Sequence, residues 1–189
     1  MKKVIFLLTT VVLVTTVSLP AQTEAETKAW QAYMAPGEPH HLMATYIGEW
    51  VDEMTFWMTP DSPPTKMTTN TTTEMIMGGR YQLSKSVGTM MGMPFEGMAL
   101  VGYDNAKKMA TTVWVDNFGT GTLAMEGPWD EATRSITFTG KMTDPMSGKE
   151  NQVRQLIRFI DNDHQEMEMY DTKSGKESKT MHMLSTRKK

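Results

Sequence analysis

The chain has 189 residues, a formal net charge of −3, 20 methionines and no cysteine. Such a length suits one domain with a sizeable core, and the acidic balance argues against nucleic acid or an anionic membrane as the main partner. Lack of cysteine excludes disulfides, thiolate nucleophiles, cysteine-based zinc sites and a lipobox anchor.

Met1-Lys2-Lys3 is basic, Val4 to Val17 carries no charge, and Pro20-Ala21 ends the run with a helix breaker and a small residue. This pattern predicts a secretory signal peptide over residues 1–21, and therefore a periplasmic or secreted bacterial protein. The apolar run is shorter than the ~20 residues that a spanning helix needs, so no stable membrane insertion is expected after cleavage.

Residues 22–47 read as a helical segment. Trp30, Tyr33 and Met34 fall at helical spacing over 24–34, and Pro36-Gly37 stops the helix. A second helical turn is expected from His40 to Tyr46. From Gly48 the period changes to two: Trp50, Met54, Phe56 and Met58 alternate with Val51, Glu53, Thr55 and Trp57. Further strands are predicted at 65–77, 80–89, 94–103, 107–116, 121–127, 134–143, 150–160, 164–171 and 177–187. About ten short strands with turn residues between them predict an all-β barrel or sandwich over 48–189. Consecutive antiparallel strands gather the loops near 59–64, 90–93, 117–121, 144–149 and 171–176 at one end. Those near 78–79, 104–107, 128–133 and 161–164 gather at the other.

Asp144-Pro-Met-Ser-Gly-Lys-Glu150 and Asp171-Thr-Lys-Ser-Gly-Lys-Glu177 share one pattern. In each, Asp is expected to open a type I turn and Gly to take the left-handed position. The Gly-Lys pair lacks the rest of a phosphate loop. One hairpin has a legible register: pairing Ile157 with Met167 sets Arg158 opposite Glu166.

His-Leu-Met-Ala-Thr-Tyr-Ile-Gly48-Glu-Trp50 resembles the start of a lipocalin-type barrel. In that fold a Trp plugs the closed end and an Arg near the last strand packs on it, which makes Arg187 the candidate partner. A longer resemblance is to the bacterial family called domain of unknown function 1579. It is carried by Pro36-Gly37 with His40, Gly48-Glu-Trp50, Gly78-Gly79-Arg80-Tyr81, Met91-Gly-Met-Pro-Phe-Glu-Gly97, Gly102-Tyr-Asp-Asn105, Trp114-x-Asp116-Asn117-x-Gly119-Thr120, Asp144-Pro145, Arg154 and Glu168-Met169-Tyr170. The resemblance implies a single up-and-down antiparallel barrel of about ten strands, lipocalin-like, with a short N-terminal helix and no assigned activity. It places motifs rich in Gly, Asp, Asn and Met around the open mouth.

A small apolar or amphipathic molecule held in the barrel is the leading expectation. The candidate ligand-binding residues are Trp50, Arg80, Met91, Met93, Phe95, Trp114, Asp116, Asn117, Arg154 and Glu168. The expected signature is a cavity of several hundred cubic ångström lined by Met, Trp and Phe. Register sets Arg154 and Arg158 on the face opposite Ile157, and the lumen face is not fixed by the pattern. No catalytic motif stands in the chain, no cofactor is expected and no metal ligands are assigned. Enzymatic action in the cavity would need convergent titratable groups. Haem would need an inward histidine. Methionine-based copper or oxidant handling would need three or more convergent sulfurs. His182 lies on the opposite strand face from Met181 and Met183, so those three cannot converge.

Overall fold

The computed structural model describes residues 23–189. The expected leader lies outside the described residues. Helix α1 (Glu24–Met34) starts at a capping box: Thr23 Oγ1 accepts from the Glu26 amide, and the Glu26 carboxylate accepts from the Thr23 amide. Helix α2 (Glu38–Ala44) starts at Glu38-Pro39, where the fixed φ of proline suits a first helical turn.

Eleven strands follow: β1 (Gly48–Phe56), β2 (Thr65–Ile76), β3 (Tyr81–Met90), β4 (Met93–Asp104), β5 (Met109–Asp116), β6 (Leu123–Gly127), β7 (Trp129–Asp130), β8 (Ser135–Thr143), β9 (Glu150–Phe159), β10 (His164–Lys173) and β11 (Lys176–Arg187). All pairings are antiparallel, sequence neighbours pair except β6 with β7, and β1 pairs with β11. The two-residue β7 stands outside the ring. β6 instead meets β8 and closes a ten-strand barrel, as the resemblance implies. That seam holds only two residue pairs, Met125↔Gly140 and Glu126↔Thr139. Glycine makes it possible: a Cβ on Gly127 would collide with the Thr137 carbonyl, and one on Gly140 with the Ala124 carbonyl.

Alternation decides the inside. On β2, Met67, Thr69, Thr71 and Thr73 are buried and the residues between them are exposed. The ladders carry that parity around the ring. One apolar cluster joins Ala110, Leu123, Met125, Ile136, Phe138 and Val153. A second joins Met54, Met67 and Phe95 with the partly buried Phe56, Met90, Met181 and Met183, and Trp114 packs against both.

The two ends divide as the loop count predicts. The end formed by α1, α2 and the turns after β2, β4, β7 and β9 is closed. Tyr46 and Trp50 are buried there and stacked, with ring centroids 6.2 Å apart. Trp50 Nε1 donates to the Tyr46 carbonyl. The Arg187 guanidinium lies 4.4 Å above the Trp50 ring. His40 is buried at this end, edge-on to Tyr103, with Nδ1 accepting from the Gly37 amide. Burial holds its imidazole below the ordinary histidine range. Asn105 donates to the carbonyls of Ala32, Tyr33 and Ala35, and Arg80 to that of Met34. These bonds tie the end of α1 to the barrel.

Beside the closed-end β9–β10 turn, Ile157 pairs with Met167 and Arg158 with Glu166 in the expected register. The other end, with the turns after β1, β3, β5, β8 and β10, is the mouth. Asp144 opens its turn as expected: its Oδ1 accepts from the Met146 and Ser147 amides, and Gly148 has φ 69°. The second copy of the pattern folds differently. Ser174 (φ 52°) and Gly175 (φ 78°) both take the left-handed region, so two residues turn the chain. Strand β10 therefore runs on to Lys173, and Asp171 sits inside the ladder instead of opening a turn.

Candidate ligand site in the barrel lumen

The site is a lumen with two kinds of wall. On one side is a polar ladder from β1, β2 and β3. Thr69 and Thr71 both donate to Asp52 Oδ2. Thr71 has a single hydroxyl proton, already given to Asp52, so Ser86 donates to Thr71 (2.7 Å). Thr73 and Ser84 form a second pair at 2.9 Å. Asp52, Thr69, Thr71, Thr73 and Ser86 are all buried. Asp52 escaped the sequence reading, although it shares the parity of Trp50, Met54 and Phe56 and could have been found by it.

Nearer the mouth the wall turns apolar. Met67, Met54, Met183 and Met167 are successive register partners across β2, β1, β11 and β10, so four inward methionines form one rung. Phe56, Met181 and Met169 form the next.

Phe95, Trp114, Asp116 and Asn117 come together at the mouth. Phe95 and Trp114 stack with centroids 6.4 Å apart, and Phe118 lies 5.8 Å from Phe95. Gly97 makes this possible, since a Cβ there would run into the Trp114 ring. Asp116 orients the box: Oδ2 accepts from Trp114 Nε1 (2.7 Å) and Oδ1 from the Phe118 amide (2.9 Å). Asn117 clamps the strand exit, accepting from the Glu96 amide and donating to the Pro94 carbonyl. Met91 and Met93 stand at the tight turn joining β3 and β4, where both are exposed. Met91 and Gly92 take positive φ there, so this is a two-residue turn and not a loop able to gather sulfurs.

The other candidates lie apart. Trp50 is at the closed end. Arg80 is in the turn after β2, binding the carbonyls of Met77 and Met34. Arg154 and Glu168 point outward, because their neighbours Val153 and Met167 are the buried ones. Outside, Arg154 covers the Tyr170 ring at 3.9 Å and pairs with Glu177, while Glu168 pairs with Lys179 and Arg158. His182 also faces out and meets Glu166 at 3.0 Å. Its hydrogen bond, with that of Arg158, holds the Glu166 carboxyl below the usual range. No histidine occupies an inward strand position among the described residues, so the condition for haem is not met. Nor do three His, Asp or Glu side chains gather there in a metal-binding group.

Sequence reasoning also missed Asp171. It is 7% exposed, inward, and its Oδ1 has no hydrogen-bond partner. Burial pushes its carboxyl above the ordinary aspartate range. A concavity of about 380 Å³ lies at the rim between Trp57, Pro60 and Lys176 to Lys179, with Trp57, Glu177 and Lys179 on the outer face. It reaches Ser178, the register partner of Asp171. This rim concavity is not the expected inner cavity lined by Met, Trp and Phe, and the inward Met and Phe side chains pack on one another. Met90, Trp114, Met181 and Met183 are only partly buried.

Residues 35–187 match the model of the family described as protein of unknown function (DUF1579). The chain belongs to this family. The DUF1579 match spans both the mouth motifs and the closed-end plug. No curated protein matches the chain. Among solved structures, it is similar to Rv2717c from M. tuberculosis, with a TM-score of 0.58 at 13% identity over 82% of this chain and 100% of that one. At that identity the likeness shows the fold alone, a barrel shared by this DUF1579 member.

Proposed function

We propose that the protein binds one small amphipathic molecule in the lumen, entering at the mouth. The observation that carries this reading is the division of the inner wall into a hydroxyl-carboxylate ladder and methionine-aromatic rungs. Methionine suits such a lining because its unbranched thioether adapts to irregular shapes. Native mass spectrometry of protein purified from its own host tests it. A stoichiometric organic adduct, released on denaturation, is expected. A bare mass, together with no binding of an environment-sensitive apolar dye, would overturn the reading.

The basic start, uncharged apolar run and Pro20-Ala21 support export. N-terminal sequencing of the mature protein should begin at Gln22.

A second reading is favoured by one observation, the rung Met67–Met54–Met183–Met167. Thioethers are soft donors suited to Cu(I). Titration with Ag(I) as a Cu(I) mimic should then saturate at one ion, and Met54→Leu with Met183→Leu should abolish it.

A further inference from the structure

The charges that face the lumen have one sign below the rim. Asp52, Asp116 and Asp171 sit on inward positions of β1, β5 and β10. The cations lie elsewhere: Arg154, Arg158 and Lys179 are on the outer face, where they pair with glutamates. Lys173 and Lys176 are at the exposed tip of the β10–β11 hairpin, with Lys173 held by Asp144. Arg187 is at the closed end, committed to the carbonyls of Thr45, Ile47 and Asn162 and to Asp163.

Asp171 is the decisive residue. Its side chain is more than nine-tenths buried and one carboxylate oxygen lacks any donor. A buried acceptor without a partner costs free energy that a bound donor recovers. On another wall of the mouth, Phe95, Trp114 and Phe118 pack on one another, and Asp116 is committed to Trp114 Nε1 and the Phe118 amide. An anionic head would meet the Asp171 carboxylate, whose one nearby cation, Lys173, is already paired with Asp144.

We infer that the ligand is an amphiphilic cation, an alkylammonium whose head is held by Asp171 while its tail lies on the methionine rungs. This rests on the reading of the lumen as a small-molecule site and adds the ligand class. A neutral alcohol could supply a donor to Asp171 but no charge to pair with its carboxylate. A carboxylate of the same chain length is repelled by it.

The test compares three ten-carbon probes by titration calorimetry at pH 7.5: decylammonium, decanol and decanoate. Decylammonium should bind at least about tenfold more tightly than either of the others, since charge-assisted hydrogen bonds are the stronger class. Asp171→Asn should reduce that preference about tenfold while leaving decanol binding unchanged. Equal binding of all three, or a preference for decanoate, would overturn the cation assignment while leaving the lumen as a small-molecule site. Binding of none would overturn both.

Discussion

Arg187 and Trp50 are register partners on the last and first strands, and the guanidinium of one lies over the indole of the other. The same Arg187 side chain donates to three carbonyls from the segment before β1 and the β9–β10 turn. It therefore joins the two chain ends of the barrel and the plug in one contact. Arg187→Met should lower unfolding stability by about 2 kcal/mol, read from the urea midpoint. Arg187→Lys should recover little, because a point ammonium cannot both stack and bond in a planar fork.

Closure at the seam depends on two missing side chains. Gly140→Val would push a branched Cβ into the Ala124 carbonyl and the Met125 side chain. A loss of about 3 kcal/mol is expected, with loosened packing around Phe138, which is 0% exposed. Circular dichroism in the aromatic region, followed through thermal unfolding, reports both.

Asp171 makes stability depend on pH. Its carboxyl is pushed above the ordinary range by burial, so the folded state keeps a proton that the unfolded chain gives up sooner. Stability contributed by this residue is present at low pH and is lost as pH rises from the ordinary aspartate range through the raised value. Asp171→Asn, which does not titrate, should match the parent protein at acid pH and exceed it in melting temperature at neutral pH. An identical pH profile for the two proteins would refute this role.

The outward network should be dispensable for the lumen. Arg154→Ala removes an exposed pair with Glu177 and a cover over Tyr170. Stability should fall by no more than about 1 kcal/mol, and binding of the ten-carbon probes should not change. A shift in probe affinity would place Arg154 in the binding path after all.

Much of this architecture is legible in residue order. The Gly48-x-Trp50 start, the Trp50–Arg187 contact, the division of loops between two ends and the Ile157–Met167 register follow from spacing and charge pairing. The lumen face of β9 and β10 is not, because both faces there mix long apolar and polar side chains: Val153, Gln155 and Ile157 against Arg154, Leu156 and Arg158. Only the buried neighbours across β8 settle it. Asp171 was hidden by a repeat. The same seven-residue pattern makes a long turn after β8 and a two-residue turn after β10, and the difference lies in how far the flanking strands can pair.

β1 and β11 are held together over seven residue pairs, while β6 and β8 share two. The wall is thus a belt buckled firmly where the first and last strands meet and fastened loosely on the far side. Local opening costs least where fewest rungs must part. Amide hydrogens of Leu123–Gly127 will therefore exchange with solvent sooner than those of Trp50–Phe56. Breathing along that line would part the wall beside Trp114, giving the interior a side door that does not pass through the mouth.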